Sequence, residues 1–316
     1  MDVLIITPAA EGSVSGNRIT AKRWAKILTQ LGHQVQIQQN YQGTQADILI
    51  ALHAWRSAAS IESFAQDYPN KPLLVALTGT DINYYLHVEA GITLQSLEHA
   101  DYLIALNNTV VQHIPQCYAN KCVTIKQSSA IQRRPKRATH NFNVSVGGHL
   151  RTEKDPLRCA YAARTLPSKS SIKIHHYGHA HNTYWAQQAR REQAGNRRYH
   201  WHGGIEQALW QDKLINSDLM VLSSRNEGGA NVISESLAAG CPIVASYIPG
   251  NIGLLGDDYP GYFTVGDTPH LSHLLNMAET SQKFYAKLRR VCADLKIQYS
   301  PHCEQLSWSK LLQKLS

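Results

Sequence analysis

Two glutamates, Glu227 and Glu235, stand eight positions apart, with Gly228-Gly229-Ala230-Asn231-Val232-Ile233-Ser234 between them. Carboxylates at such positions accept hydrogen bonds from hydroxyl groups. The run from Asp218 to Ser223 reads as a strand, the two glycines as a turn, and the stretch after them as the start of a helix. A strand, a glycine turn and a helix N-terminus form an anion site, because unpaired backbone N–H groups and the helix dipole point at the ligand. A site that takes both phosphate and hydroxyls suits a nucleotide sugar. Downstream, Ser236 to Gly240 closes the helix and Ile243 to Ala245 is a further apolar strand.

A second candidate element is Gly147-Gly148-His149-Leu150-Arg151-Thr152-Glu153-Lys154-Asp155-Pro156, after an apolar strand. Arg151 and Lys154 at a strand end can neutralise a diphosphate leaving group without a metal. The alternative is a surface loop with a helix cap at Asp155. A third element is the first turn, Pro8 to Arg18, where Gly16 lets the backbone approach phosphate and Asn17 and Arg18 open a helix. It is not a dinucleotide or P-loop fingerprint, and a flexible loop explains it equally well. The fourth is Thr78-Gly79-Thr80-Asp81 with His53, at the ends of two strands. Asp81 either orients an acceptor or caps a helix. Six histidines crowd one region, His175, His176, His179, His181, His200 and His202. His200 and His202 share a face if that run is a strand. No paired carboxylates stand beside them, so ordinary hydrogen-bonded histidines are expected rather than a metal site. No G-x-S-x-G nucleophile elbow is present.

These turns need a scaffold of strands. Val3–Ile6, Gln34–Gln38, Asp47–His53, Leu73–Leu77 and Tyr102–Leu106 read as strands, with helices over Arg18–Leu31, Ala58–Tyr68 and Leu94–His99. Gly32 and Pro69 end the first two helices. The polar, basic segment Ile131 to Asn143, with its cluster Arg133-Arg134-Pro135-Lys136-Arg137, reads as a domain boundary. Alternation then restarts. Strands are expected at Val144–Val146, Ile172–Tyr177, Tyr199–His202 and Leu219–Leu222, and helices over Asp155–Leu166, Thr183–Ala194 and Ile205–Ile215. Helical patterns around Leu271–Ala278, Phe284–Leu295 and Cys303–Leu315 close the chain. Alternating strands and helices imply parallel sheets covered on both faces. Ligands in such sheets bind outside the carboxyl ends of the strands. The expected layout is an N-terminal domain over 1–135 and a second over 141–302, with a last helix at about 303–316 packing back on the first.

With 316 residues and 43% hydrophobic residues the chain has room for two ordinary cores. No apolar run reaches the roughly 18 residues of a membrane span. A strand begins almost at Met1, and no signal peptide is read there. Six cysteines without a C-x-x-C pair suggest a reduced cytoplasm. The net charge of +8 is spread along the chain without a nucleic-acid module, so a basic cleft drawing small anions is expected rather than nucleic-acid binding.

The stretch LMVLSSRNEGGANVISESLAAGCPIVAS, with Gly32-His33 after the first helix, resembles the retaining GT-B glycosyltransferases that carry a Glu-x7-Glu motif. The resemblance implies two Rossmann-like domains facing each other across a cleft. It implies that Glu235 binds the ribose hydroxyls of the nucleotide and Glu227 holds sugar hydroxyls near the transferring carbon. The amides of Gly228, Gly229, Ala230, Asn231 and Val232 would meet sugar and phosphate oxygens, Lys154 the diphosphate, and Gly16 would approach it from the other domain. Two departures stand out. His149 replaces the arginine usual five residues before Lys154, leaving Arg151 to supply that charge, and Thr78-Gly79 replaces the usual His-Gly. An ordinary sugar hydroxyl is then a poor fit as acceptor.

TPAAEGSVSGNRITAKRWAKIL, LIALHAWRSAASI, LVALTGTD, GGHLRTEKDPLRCAYAARTLP, SSRNEGGANVISE and IPGNIGLLGDDYPGYFTVGDT further resemble the selenosugar synthases of selenoneine biosynthesis. That resemblance implies a carbon–selenium bond made from selenophosphate and a UDP-sugar, UDP-N-acetylglucosamine, with UDP released; no cofactor and no metal-ligating residue is expected. Glu227, Lys154 and Arg151 would carry the chemistry, and His149 would lie with the donor. Asn17, Arg18, His53, Arg56, Thr80 and Asp81 would hold the acceptor. The competing expectations are a GT-B transferase acting on a hydroxyl acceptor and a nucleotide-sugar sensor that consumes nothing.

Overall fold

The computed structural model describes every residue except 14, 132, 133, 136, 138 and 316. Val14 of the first turn and Arg133 and Lys136 of the basic segment therefore lie outside the described residues. The chain divides into two compact units.

The first unit comprises Met1–Gln127, Glu227–Ala230 and Pro301–Ser316. Its elements are β1 (Asp2–Ile6), α1 (Gly16–Gln30), β2 (Gln34–Gln38), β3 (Ile48–Leu52), α2 (Ala58–Asp67), β4 (Leu73–Leu77), α3 (Leu86–Val88), α4 (Ala90–His99), β5 (Tyr102–Ala105) and β6 (Cys122–Thr124). The strands pair in parallel in the order β2-β1-β3-β4-β5-β6. Central strands buried on both faces are apolar without a break, and β3 (ILIAL) and β4 (LLVAL) are buried at every position. Side chains alternate between two cores. Val3, Ile5, Ile50 and Leu74 pack with Trp24 and Leu28 of α1, whereas Leu4, Ile6, Leu49 and Val75 pack with Phe64 of α2. Trp308, Leu311 and Leu312 of the C-terminal helix Pro301–Leu312 complete the α1 side. The Trp308 ring meets Trp24 edge-on at 5.0 Å. Glu304, from the same helix, accepts the Trp24 indole N–H at 2.8 Å and the Arg23 Nε–H at 3.2 Å.

The second unit comprises Ser128–Asn226 and Asn231–Ser300. Its elements are β7 (Asn143–Gly147), α5 (Arg158–Arg164), β8 (Lys173–Tyr177), α6 (Thr183–Gly195), β9 (Tyr199–Trp201), α7 (Gln207–Ile215), β10 (Leu219–Leu222), α8 (Asn231–Ala239), β11 (Ile243–Ser246), α9 (Pro249–Leu255), β12 (Tyr262–Phe263), α10 (Thr268–Thr280) and α11 (Gln282–Lys296). Its parallel sheet runs β12-β11-β10-β7-β8-β9. Each unit is a Rossmann-like α/β layer sandwich. No helix among the described residues is long and apolar enough to cross a membrane.

The structure departs from the sequence reading in several places. The helix expected from Asp155 starts at Arg158, because Asp155 takes a left-handed conformation at φ 43° and Pro156 follows it. Asp155 is consequently no cap: its carboxylate takes the Arg158 guanidinium, with Nε at 2.9 Å. The segment Asp81–Tyr85 forms a π-helix, and β6 and β12 are three and two residues long. Strands that short carry too few side chains to show a period of two.

Candidate active site

In the second unit Glu235 lies in α8 and is buried, with 5% of its surface exposed. Its two oxygens have separate partners. Oε2 accepts the Trp210 indole N–H at 2.7 Å and Oε1 the Gln207 amide N–H at 2.6 Å, both from α7. The Trp210 ring lies across the end of β7. A Cβ added to Gly147 would sit 2.6 Å from it, so glycine is needed there for the indole to reach the carboxylate.

Lys154 ends a short 3₁₀ turn, Thr152–Lys154, after β7. Ser223, just past β10, holds this turn by donating its hydroxyl to the carbonyls of Lys154 at 3.2 Å and Asp155 at 2.9 Å. The Arg225 N–H donates to the Glu153 carbonyl at 2.8 Å. Arg151 is partly exposed and ion-paired through Nε with Glu153 at 3.2 Å. Lys154, Arg151 and Arg225 thus share one pair of strand-end turns. His149 lies beside them, its Nδ1 accepting the His179 N–H at 3.2 Å. Burial lowers its pKa, and the positive charges of Arg151 and Lys154 and the neighbouring histidines push the same way. It therefore does not replace the charge of an arginine at neutral pH.

His176 is buried beneath this turn. It meets the Gly148 carbonyl through Nε2 at 3.1 Å and Tyr199 Oη through Nδ1 at 3.0 Å. A carbonyl only accepts, so Nε2 carries the proton and Nδ1 accepts from the tyrosine. His175, His200 and His202 do share a face, with rings 5.5 and 5.3 Å from that of His175, and His175 Nδ1 is 3.1 Å from His202 Nε2. Among the described residues no group of three or more His, Cys, Asp or Glu side chains has the arrangement of a metal site.

In the first unit His53 ends β3 and Thr80 follows β4, its neighbour in the sheet. His53 Nε2 and Thr80 Oγ1 are 2.9 Å apart. Asp81 is fully buried and takes four backbone N–H groups: Thr78 and Ala54 on Oδ2 at 3.0 and 3.1 Å, Gly79 and Ile82 on Oδ1 at 2.7 and 3.1 Å. An ionised carboxyl has about four lone-pair sites. Asp81 is therefore saturated by the turns it holds together and has no oxygen left for a ligand. Arg56 is exposed near His53. Arg18, in the first turn of α1, keeps only 9% of its side chain exposed, with its Nε unpartnered and the exposed Glu11 3.9 Å from its NH2 group. Asn17 and Gly16 open the same helix, capped by the Ser15 hydroxyl.

Glu227–Ala230 also belongs to the first unit. Glu227 is buried, at 9% exposure. The Gly228 carbonyl accepts the Asn107 amide N–H at 2.5 Å, and a Cβ on Gly228 would lie 2.3 Å from the Thr78 carbonyl. Packing against backbone demands glycine here.

Residues 127–291, which include Lys154, Arg225, Glu227 and Glu235, match the family model of the glycosyl transferases group 1. The chain belongs to this family.

Solved structures agree on the fold of this glycosyl transferase. It is similar to HepE of Anabaena in complex with UDP-glucose, at a TM-score of 0.77 and 14% identity, over 99% of this chain and 100% of that one. It is similar to sucrose-phosphate synthase of Thermosynechococcus elongatus, at 0.81 and 12%, over 99% and 98%. A glycosyltransferase of Rickettsia africae gives 0.76 and 14%, over 99% and 98%. No curated protein sequence matches the chain.

Trp210 and Gln207, which hold Glu235, and Ser223, which holds the Lys154 turn, escaped the sequence reading. Trp210 and Gln207 lie 25 and 28 residues before the carboxylate they hold, a separation only the packing of α7 on α8 closes. The one sequence signal was Gly147, whose missing side chain makes room for the indole.

Proposed function

We propose that the protein joins selenium to the sugar of a UDP-sugar, UDP-N-acetylglucosamine, using selenophosphate as acceptor and releasing UDP. The second unit supplies the donor residues. Glu235 binds the ribose hydroxyls, Lys154 and Arg151 the diphosphate, His149 the neutral edge of that pocket, and the Asn231 and Val232 amides the phosphate oxygens. The first unit supplies Glu227 and the Gly228–Ala230 loop to the sugar and Gly16 to the diphosphate. Its strand ends hold the acceptor through Asn17, Arg18, His53, Arg56 and Thr80. Asp81 acts by positioning the turn that carries Thr80. The six cysteines are unbonded, in keeping with a reduced cytoplasm.

In the reaction, a selenium electron pair forms the bond to C1 of the sugar. The C1–O bond breaks and its pair leaves on the β-phosphate of UDP. Water then takes the phosphoryl group from selenium, giving the selenosugar and inorganic phosphate. An anionic nucleophile needs no general base, so catalysis rests on positioning and on stabilising the departing diphosphate.

One observation carries the acceptor assignment: among the described residues the buried Arg18 guanidinium has an unpartnered Nε and only a distant, exposed carboxylate. A buried cation is costly without a counter-ion, and an anionic substrate supplies one. For the donor, family membership and the UDP-glucose bound by HepE support UDP-sugar use. UDP release measured with selenophosphate, thiophosphate and hydroxyl acceptors side by side tests the reading. Release with selenophosphate well above the others is expected, and release with a hydroxyl acceptor alone overturns it.

A further inference from the structure

His53 has an uncommon backbone, with φ at 77°, in a residue 2% exposed. Side chains other than glycine seldom adopt that conformation, and such strain concentrates at functional sites. The surroundings over-determine the imidazole. Its Nδ1 accepts the Arg56 backbone N–H at 3.1 Å, so Nδ1 carries no proton. The Tyr85 ring meets it edge-on at 5.8 Å, and Tyr85 is itself stacked on Trp55 at 3.9 Å. In a neutral histidine the remaining proton is on Nε2, the atom 2.9 Å from Thr80 Oγ1. Burial lowers the His53 pKa, Asp81 opposes this and Arg56 adds to it. The imidazole is therefore neutral at neutral pH.

This fixes the role of Thr80. Its hydroxyl accepts from His53, and its own proton is directed elsewhere. Thr80 is partly exposed. Neither His53 nor Asp81 is free to act as a base: His53 Nδ1 is taken by an N–H, Nε2 is protonated, and Asp81 is saturated.

We propose that His53 is a positioning residue that holds the Thr80 hydroxyl as a hydrogen-bond donor to the small anionic acceptor. This rests on the acceptor assignment to the first unit made above. It extends it by naming the pair of side chains that orients a donor hydroxyl toward that acceptor.

The test is equilibrium binding of inorganic thiophosphate to the UDP-loaded protein, with UDP affinity measured in parallel. Wild type, Thr80→Val, Thr80→Ser, His53→Asn and the double variant Thr80→Val/His53→Asn are compared. Asparagine tolerates positive φ but is too short to reach Thr80. Thr80→Val and His53→Asn should each weaken thiophosphate binding by about tenfold, the scale of one hydrogen bond to a charged group. The double variant should be no weaker than the worse single one, Thr80→Ser should recover most of the loss, and UDP affinity should stay within about twofold, since residues acting as one unit are not additive. In ¹⁵N-histidine NMR spectra His53 should show a protonated Nε2 and a bare Nδ1 at pH 7, in wild type and in Thr80→Val. Unchanged binding in Thr80→Val, additive losses, a protonated Nδ1, or a wild-type protein that ignores thiophosphate would each overturn the proposal. Thiophosphate binding with these effects in a protein that makes no selenosugar would instead overturn only the selenium chemistry.

Discussion

The Glu235 carboxylate accepts the indole N–H of Trp210 at 2.7 Å, in a pocket where the glutamate is 5% exposed. Held also by Gln207, the carboxyl group is fixed before any donor arrives. A carboxylate pre-oriented in this way loses less entropy on binding two hydroxyls than a freely rotating one. The orientation of the second glutamate of the pair therefore depends on α7.

Trp210→Phe keeps a ring against Gly147 and removes only the donor. The UDP-sugar KM should rise about tenfold, with stability falling by about 2 kcal/mol from the carboxylate oxygen left without its bond. Steady-state kinetics against donor concentration, with denaturant unfolding, check both numbers. An unchanged donor KM would mean that Glu235 does not touch the nucleotide.

Lys154→Ala and Glu227→Ala should each lose about 10²–10³ in kcat while unfolding like wild type, as for removal of one charge-stabilising group. Both side chains lie at strand-end turns rather than in an apolar core, which is why the fold should survive. Near-normal turnover in both would remove them from the chemistry.

Much of the scaffold was legible because buried parallel strands are continuous apolar runs. Leu73–Leu77 and Leu219–Leu222 appear with the boundaries their sequences suggest, and so does the edge strand Gln34–Gln38, read instead from its alternation. The turns that carry the candidate residues were legible for the same reason, since each follows such a strand. Asp81 shows where sequence fails. An aspartate after a strand looks the same whether it meets a ligand or four backbone N–H groups, and only the fold brings Ala54 to it. Trp210 was hidden by distance along the chain, and the Asp155 turn by a left-handed residue that spacing does not reveal.

Glu304 joins the C-terminal helix to α1 by accepting from Trp24 and Arg23, with no exposed side-chain surface of its own. Glu304→Ala should destabilise the first unit by about 3 kcal/mol, because it leaves a largely buried guanidinium and an indole N–H without their acceptor. Unfolding in urea followed by tryptophan fluorescence measures this. A change below about 0.5 kcal/mol would show the pair to be dispensable.

Acid should weaken the second unit through His176, whose pKa burial holds down at about 4, against 6.5 for the free side chain. Above 6.5 both folded and unfolded forms are neutral there and the residue adds no pH dependence. Below it the unfolded chain takes up a proton that the folded one refuses, so stability falls by about 1.4 kcal/mol per pH unit until the folded pKa is reached. Replacing His176 by Gln should flatten the stability profile between pH 6.5 and 4. A profile as steep in the variant as in wild type would assign the acid loss elsewhere.

In the proposed reaction the sugar leaves UDP for selenium. Mass spectrometry of the products from protein, UDP-N-acetylglucosamine and selenophosphate tests it directly. A sugar-containing ion with the selenium isotope pattern is expected, formed together with UDP and absent with Lys154→Ala. UDP release without any selenium-bearing sugar, or a product only with a hydroxyl acceptor, would contradict it.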